Sequence, residues 1–205
     1  MQAVDQQSVE ESIRRAHEGE DYERAATLLI EGYGPQILAF CAGRLQSRQE
    51  ADEVFSLFCE DVWKGLAGFA WRSSARAWAY TVARHAMSRY LSGAGRHKRD
   101  LPLSRSPELV ARVRTRTETL LRTESKSKLR ELIRQLPEAD QLLLSLRLER
   151  ELSFAELAVV MSDAPDALDD AGLTREAARL RKRFQLVKER LKVLGEQAGL
   201  FGKGE

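Results

Sequence analysis

Four aromatic residues, Phe69, Trp71, Trp78 and Tyr80, are interleaved with Arg72, Arg76, Arg84 and Arg89. Flat rings beside guanidinium groups can stack on an unpaired base and hold its phosphate, recovering about 1–3 kcal/mol per base. Between Arg72 and Arg99 stand seven basic residues and no acid. A second cationic stretch, residues 175–192, carries 8 bases against 2 acids. The front of the chain has the opposite sign: residues 1–60 hold 12 acids and 5 bases, whereas residues 71–150 hold 18 bases and 8 acids. A net charge of +2 conceals this segregation. It implies an anionic partner for the two cationic stretches and a different partner for the acidic front. A single charge run is often only a solvated helix face. Two long runs, one of them rich in aromatics, weigh against that reading.

The elements that must position these residues are helical. The 205 residues are 43% hydrophobic and 31% charged, which fits a globular chain large enough to bury a core. Apolar runs such as Leu142-Leu143-Leu144 are too short to span a bilayer, and the first 24 residues lack the apolar segment of a secretory signal. Two cysteines make no disulfide framework. A cytoplasmic, all-α protein is the expectation. Apolar spacing of three and four predicts a first helix over residues 8–20. A second, through Tyr22, Ala25, Ala26, Leu29 and Ile30, is expected to stop near Gly32 and Gly34. Pro35 suits the first turn of a new helix carrying Ile37, Leu38, Cys41, Ala42 and Leu45 on one face. Further helices are predicted over residues 50–67 and 75–91, closing a first domain at residue 92.

Residues 92–106, with Gly93, Gly95 and Pro102, read as a linker. Ser106-Pro107-Glu108 is a helix start, and that helix is expected to run to about Gln135 before Pro137 separates it from one at 138–149. The domain division is therefore 1–92, a linker with the start of a connecting helix at 93–126, and a second helical domain at 127–205. The second domain holds a helix-turn-helix candidate. Ser153-Phe154-Ala155-Glu156 is a capping box, and its helix turns Leu157, Val160 and Met161 inward. A second helix is predicted to open with Thr174 as N-cap and run to about Leu194. Its basic face carries Arg175, Arg179, Arg181, Lys182 and Arg183, the arrangement that entry into a major groove requires. Residues 162–172, with Asp163, Asp166, Asp169 and Asp170, exceed the three or four residues of an ordinary turn.

These residues resemble bacterial sigma factors of the extracytoplasmic-function group, two-domain initiation subunits of RNA polymerase. Tyr33-Gly34-Pro35 before an apolar helix resembles the family's first conserved region. Ala51-Asp52-Glu53-Val54 followed by Val62-Trp63 is similar to its acidic core-binding stretch. Ala75-Arg76-Ala77-Trp78-Ala79-Tyr80-Thr81-Val82-Ala83-Arg84-His85 is similar to its F-R-x-W-L-Y-x-I-A-R-N pattern. Leu136-Pro137 and Leu152-Ser153-Phe154-Ala155-Glu156-Leu157-Ala158 resemble the L-P and L-S-x-x-E-I-A patterns of the C-terminal domain. The family usually has glutamine and glutamate at Ser56 and Leu57, asparagine at His85 and aspartate at Arg89.

The resemblance implies binding rather than covalent chemistry. Asp52 and Glu53 would meet arginines on the clamp helices of the largest polymerase subunit. Trp71, Arg72, Arg76, Tyr80, Arg84, His85 and Arg89 would open and hold the −10 element of the promoter. On the helix of 75–91, Trp78 and Val82 are expected to face the core and Arg76, Tyr80, Arg84 and His85 the exposed side. Thr174, Arg175, Arg179, Arg181 and Lys182 would bind the −35 element. An anti-sigma partner is implied by the family's habits. Cys41 and Cys59 stand 18 apart with no histidine at ligand spacing, so packing rather than a metal site is expected, and no cofactor is. There is no phosphate-cradling glycine loop, Ser/His/Asp arrangement or carboxylate dyad, so no enzyme is expected. The alternatives are a helix-turn-helix regulator that acts without polymerase and a sigma-like decoy that does not initiate.

Overall fold

The computed structural model describes residues 3–45, 47–93, 108–114, 117, 128–162 and 168–198. Every element among these residues is helical, in agreement with the all-α expectation. The chain divides into two compact units, Met1–Thr123 and Glu124–Glu205.

The first unit contains α1 (Ala3–Glu18), α2 (Tyr22–Arg44), α3 (Arg48–Gly65), a single 3-10 turn at Leu66–Gly68, α4 (Ala75–Leu91) and α5 (residues 108–114). Each start is fixed by a side chain. Asp21 accepts from the Arg24 amide to cap α2, Ser47 and Glu50 form a reciprocal capping box on α3, and Ser74 accepts from the Ala77 amide on α4. The core between α2, α3 and α4 is built from Leu29, Ile30, Ile37, Leu38, Phe40, Phe55, Phe58, Val62 and Tyr80.

The break expected at Gly32-Tyr33-Gly34-Pro35 does not occur. α2 runs unbroken through Pro35. The glycines are there for closeness, not for ending the helix. A Cβ on Gly32 would lie 2.6 Å from Val9 Cγ1 of α1. One on Gly34 would lie 3.1 Å from both Val113 methyl carbons of α5 and 3.3 Å from Phe55 Cζ. Two helices thus press on nearly opposite sides of α2 at points where it has no side chains. The kink cost of an internal proline is offset by this packing. The carbonyl of Pro35 also accepts from the Thr117 hydroxyl at 3.4 Å. α5 is no bare connection: Leu109, Val110, Val113 and Thr117 are buried against this unit, and Arg112 pairs with Glu31 at 2.6 Å. Residues 94–106, read from sequence as linker, lie outside the described residues.

The second unit contains α6 (Lys128–Ile133), α7 (Glu138–Leu144) widened into a π turn at Ser145–Glu149, α8 (Phe154–Met161) and α9 (Asp170–Gln197). Glu151 at φ +56° reverses the chain after the π turn. Ser153 and Glu156 then form the expected capping box of α8. Leu143, Leu144, Leu146, Leu152, Leu157 and Val160 pack with Leu180, Phe184 and Val187 of α9. The expected start of α9 is corrected. Asp169, not Thr174, is the N-cap, accepting from the Gly172 amide at 2.7 Å. Thr174 lies one turn inside, its hydroxyl donating to the Asp170 carbonyl. An aspartate cap begins the helix within the stretch that had looked like an acidic insertion. Asp163 and Asp166 lie outside the described residues.

Gly32→Ala in the otherwise unchanged chain is expected to lower stability by about 1–3 kcal/mol, because the added methyl overpacks a stiff valine. In a Val9→Ala background the same change is expected to raise stability by about 1 kcal/mol through helix propensity. Urea unfolding followed by circular dichroism reads this reversal of sign.

Candidate nucleic-acid interface

The loop between α3 and α4 carries the first aromatic and cationic cluster. Trp71 sits in it with φ +55°, a left-handed conformation that costs a tryptophan about 1–2 kcal/mol. Its indole N–H donates to His17 Nδ1 at 3.1 Å, and its ring lies against Phe69 at 4.9 Å. The Arg14 guanidinium stands over the indole at 4.7 Å from the centroid. An indole N–H can only donate, so His17 Nδ1 accepts and its Nε2–H is left to donate to the Leu66 carbonyl at 3.0 Å. Trp71 remains partly exposed and Arg72 is exposed.

Along α4 the helical phase differs from expectation. Arg76 is 6% exposed and Tyr80 is fully buried, its ring edge-on to Phe40 at 5.6 Å. Trp78 and Val82, expected in the core, are only half-buried. The core of α4 is instead made by Ala75, Ala77, Ala79, Tyr80, Ala83, Ala86, Met87 and Tyr90. Small alanines let α4 approach α2 and α3 closely, and the buried face follows them rather than the largest side chains. Arg76 and Tyr80 therefore lie inward and cannot offer an open stacking face. Arg84 and His85 are half-buried and Arg89 is exposed. Arg84 donates to His85 Nε2 at 3.2 Å, and Arg89 pairs with Asp61 of α3. Of the cationic residues predicted here, Arg72, before α4, and Arg89, in its last turn, are the exposed ones, and Trp71, Arg84 and His85 are half-buried.

The acid pair lies on α3. Glu53 is exposed. Asp52 is half-buried between Arg48 at 3.5 Å and Arg114 of α5 at 3.4 Å. Arg114 gave no sequence signal, because 62 residues separate it from Asp52 and only folding brings them together. Cys41 and Cys59 are buried free thiols, and burial pushes the Cys59 thiol upward. Among the described residues there is no group of three or more His, Cys, Asp or Glu able to hold a metal. No helix among them is long and apolar enough to cross a membrane.

In the second unit, α9 presents the other cationic surface. Thr174, Arg175, Arg179, Arg181 and Lys182 are all exposed. Glu176 grips Arg179 through two bonds, at 2.8 Å and 2.6 Å, which hold the guanidinium outward and raise its pKa. Arg181 lies over the Phe154 ring at 5.1 Å, and Arg147 makes a similar contact at 5.0 Å. Arg183, the fifth base of this face, does not point to solvent like the others. Its Nε donates to the buried Asp140 of α7 at 2.6 Å, tying α7 to α9.

Helical units that display arginines on capped helices offer surfaces complementary to an anionic polymer. Residues 29–97, from the middle of α2 past the end of α4, match the family described as Sigma-70 region 2. The chain is also similar to the RNA polymerase sigma-H factor of Pseudomonas aeruginosa, 27% identical over 167 residues that cover 78% of this chain and 83% of that one. No solved structure matches it. The match to Sigma-70 region 2 covers about a third of this chain, and the similarity to the sigma-H factor extends over most of its length.

Asp140→Ala removes an acceptor from a partly exposed guanidinium and is expected to cost the second unit roughly 1–2 kcal/mol. Amide hydrogen exchange of α7 and α9 in the full chain measures it, with α2 and α3 as internal controls.

Proposed function

We propose that this chain is a sigma factor, a non-catalytic initiation subunit that binds core RNA polymerase and directs transcription initiation by engaging a promoter at two separated elements. The observation that carries the reading is a coincidence of position. The span matching Sigma-70 region 2 contains both the acidic pair of α3 and the aromatic, cationic loop that leads into α4. The −10 element is assigned to Trp71, Arg72, Arg84, His85 and Arg89, with Arg76 and Tyr80 supporting that surface from beneath. The −35 element is assigned to the exposed Thr174, Arg175, Arg179, Arg181 and Lys182 of α9. Arginine there can bind guanine bidentately or hold phosphate, and a helix lying in the major groove permits both.

Docking is assigned to Asp52 and Glu53, facing arginines of the largest subunit's clamp helices. Arg114 already stands at 3.4 Å from Asp52, so a partner arginine would exchange with it rather than meet a bare carboxylate. Charge pairs of this kind set register and encounter rate more than affinity. The resemblance to the extracytoplasmic-function group supports two further assignments. Of the segment 93–126, only the part beyond the packed α5 and Thr117 would tether the −10 and −35 modules, and an anti-sigma protein would hold the chain inactive until a signal arrives.

Arg179→Ala combined with Arg181→Ala is expected to lower promoter-specific transcription about ten- to hundredfold, the loss of one or two base or phosphate contacts. Core binding should be unchanged. In-vitro transcription with purified core on a pool of genomic fragments, beside a core pull-down, reads both. Asp52→Arg with Glu53→Arg is expected to weaken core binding about tenfold, and the loss should shrink as salt rises. A chain that binds duplex DNA but never core would instead be a stand-alone helix-turn-helix regulator.

A further inference from the structure

Helix α1 lies outside the span that matches Sigma-70 region 2, yet it holds that span's promoter-facing loop at both ends. Glu10, Arg14 and His17, spaced four and three, form one stripe on α1. The Glu10 carboxylate accepts from the amides of Ala75 and Arg76 at 2.8 Å each, and from the Tyr33 hydroxyl at 2.7 Å. Ser74 accepts from the next amide, that of Ala77, at 3.1 Å. The first three amides of α4 are therefore satisfied, two of them by a residue more than sixty positions away. At the other end of the stripe, His17 bridges the Trp71 indole N–H and the Leu66 carbonyl, while Arg14 covers one face of the indole. The stretch from Leu66 to Arg76 is thus fastened to α1 at its start, middle and end. Trp71 could not hold a left-handed backbone without surroundings that over-determine it.

We propose that α1 is a brace for promoter opening, with Glu10, Arg14 and His17 as positioning residues that set Trp71 and the start of α4 before DNA arrives. A surface arranged in advance does not have to be ordered during base capture, so more of the stacking energy is left for unpairing the duplex. This inference rests on the assignment of Trp71 and Arg72 to the −10 element.

The test uses the full chain reconstituted with core polymerase, on a promoter duplex that the wild-type holoenzyme selects from genomic fragments. Opening is followed by 2-aminopurine fluorescence in the −10 element, and core affinity is measured in parallel. His17→Ala and Glu10→Gln are each expected to slow opening roughly three- to tenfold, as loss of one or two hydrogen bonds implies, with core affinity kept within about twofold. A duplex already mismatched across the −10 element should restore most of the loss. His17→Asn, which keeps an acceptor near the Nδ1 position, should open faster than His17→Ala. Parallel loss of core affinity and opening in both variants would overturn the brace and reduce α1 to a part of the fold. Normal opening in both, with Trp71→Ala defective, would overturn the brace and leave the −10 assignment standing. Normal opening in Trp71→Ala would overturn the brace and the assignment of Trp71 together.

Discussion

One carboxylate ties the first unit together. Glu10 of α1 accepts from two amides at the start of α4 and from the hydroxyl of Tyr33 in α2. A helix N-terminus presents amides with no partner inside the helix, and a negative charge there also meets the positive end of the helix dipole. By supplying that charge from another helix, the fold satisfies α4 and fixes its axis against α1 and α2 in one contact. The direction of α4 decides where Arg84, His85 and Arg89 point. The loop before it, with Trp71 and Arg72, is anchored by the same helix.

The second unit solves a similar problem with a different pair. The Arg183–Asp140 bond joins α7 to α9 and removes one arginine from the basic face. The remaining cations are held by short-range partners: Arg179 by Glu176 and Arg181 by the ring of Phe154. Such contacts restrict side-chain rotamers, which reduces the entropy that any anion bound on this face would have to remove. They also set a cost, since Glu176 must yield Arg179 or share it. The basic surface of α9 is thus an ordered set of donors rather than a diffuse cloud of charge.

Close approach of helices runs through both the fold and the misreadings of it. Gly32 and Gly34 look like helix stops in a linear reading, and Pro35 looks like a start. In the folded chain the glycines admit Val9 and Val113 to the surface of α2, and the helix continues. The alanines of α4 act alike. Because they let that helix sit close, Tyr80 and Arg76 turn inward while Trp78 is left half-exposed. Periodicity locates an apolar face well when that face is made of large side chains. It misplaces the face by a residue or two when small residues make the contact, since alanine carries little hydrophobic signal of its own. Thr174 shows a milder form of the same limit: its residue type suggests a cap, but Asp169, five residues earlier, is the one whose carboxylate meets an amide.

The amino-acid sequence by itself determined the helical class, the bounds of α4, the capping box of α8, and the separation of acidic from basic stretches. The helices and the cap depend on residues within four positions of each other, where spacing alone dictates contact, and charge segregation is read directly from composition. The pairing of Asp52 with Arg114, the seat of Trp71 against His17 and Arg14, and the reach of Glu10 to the start of α4 were decided only by tertiary structure. Each joins residues 50 or more positions apart. No local pattern records such a contact, because the chain between the partners must first be packed before either can find the other.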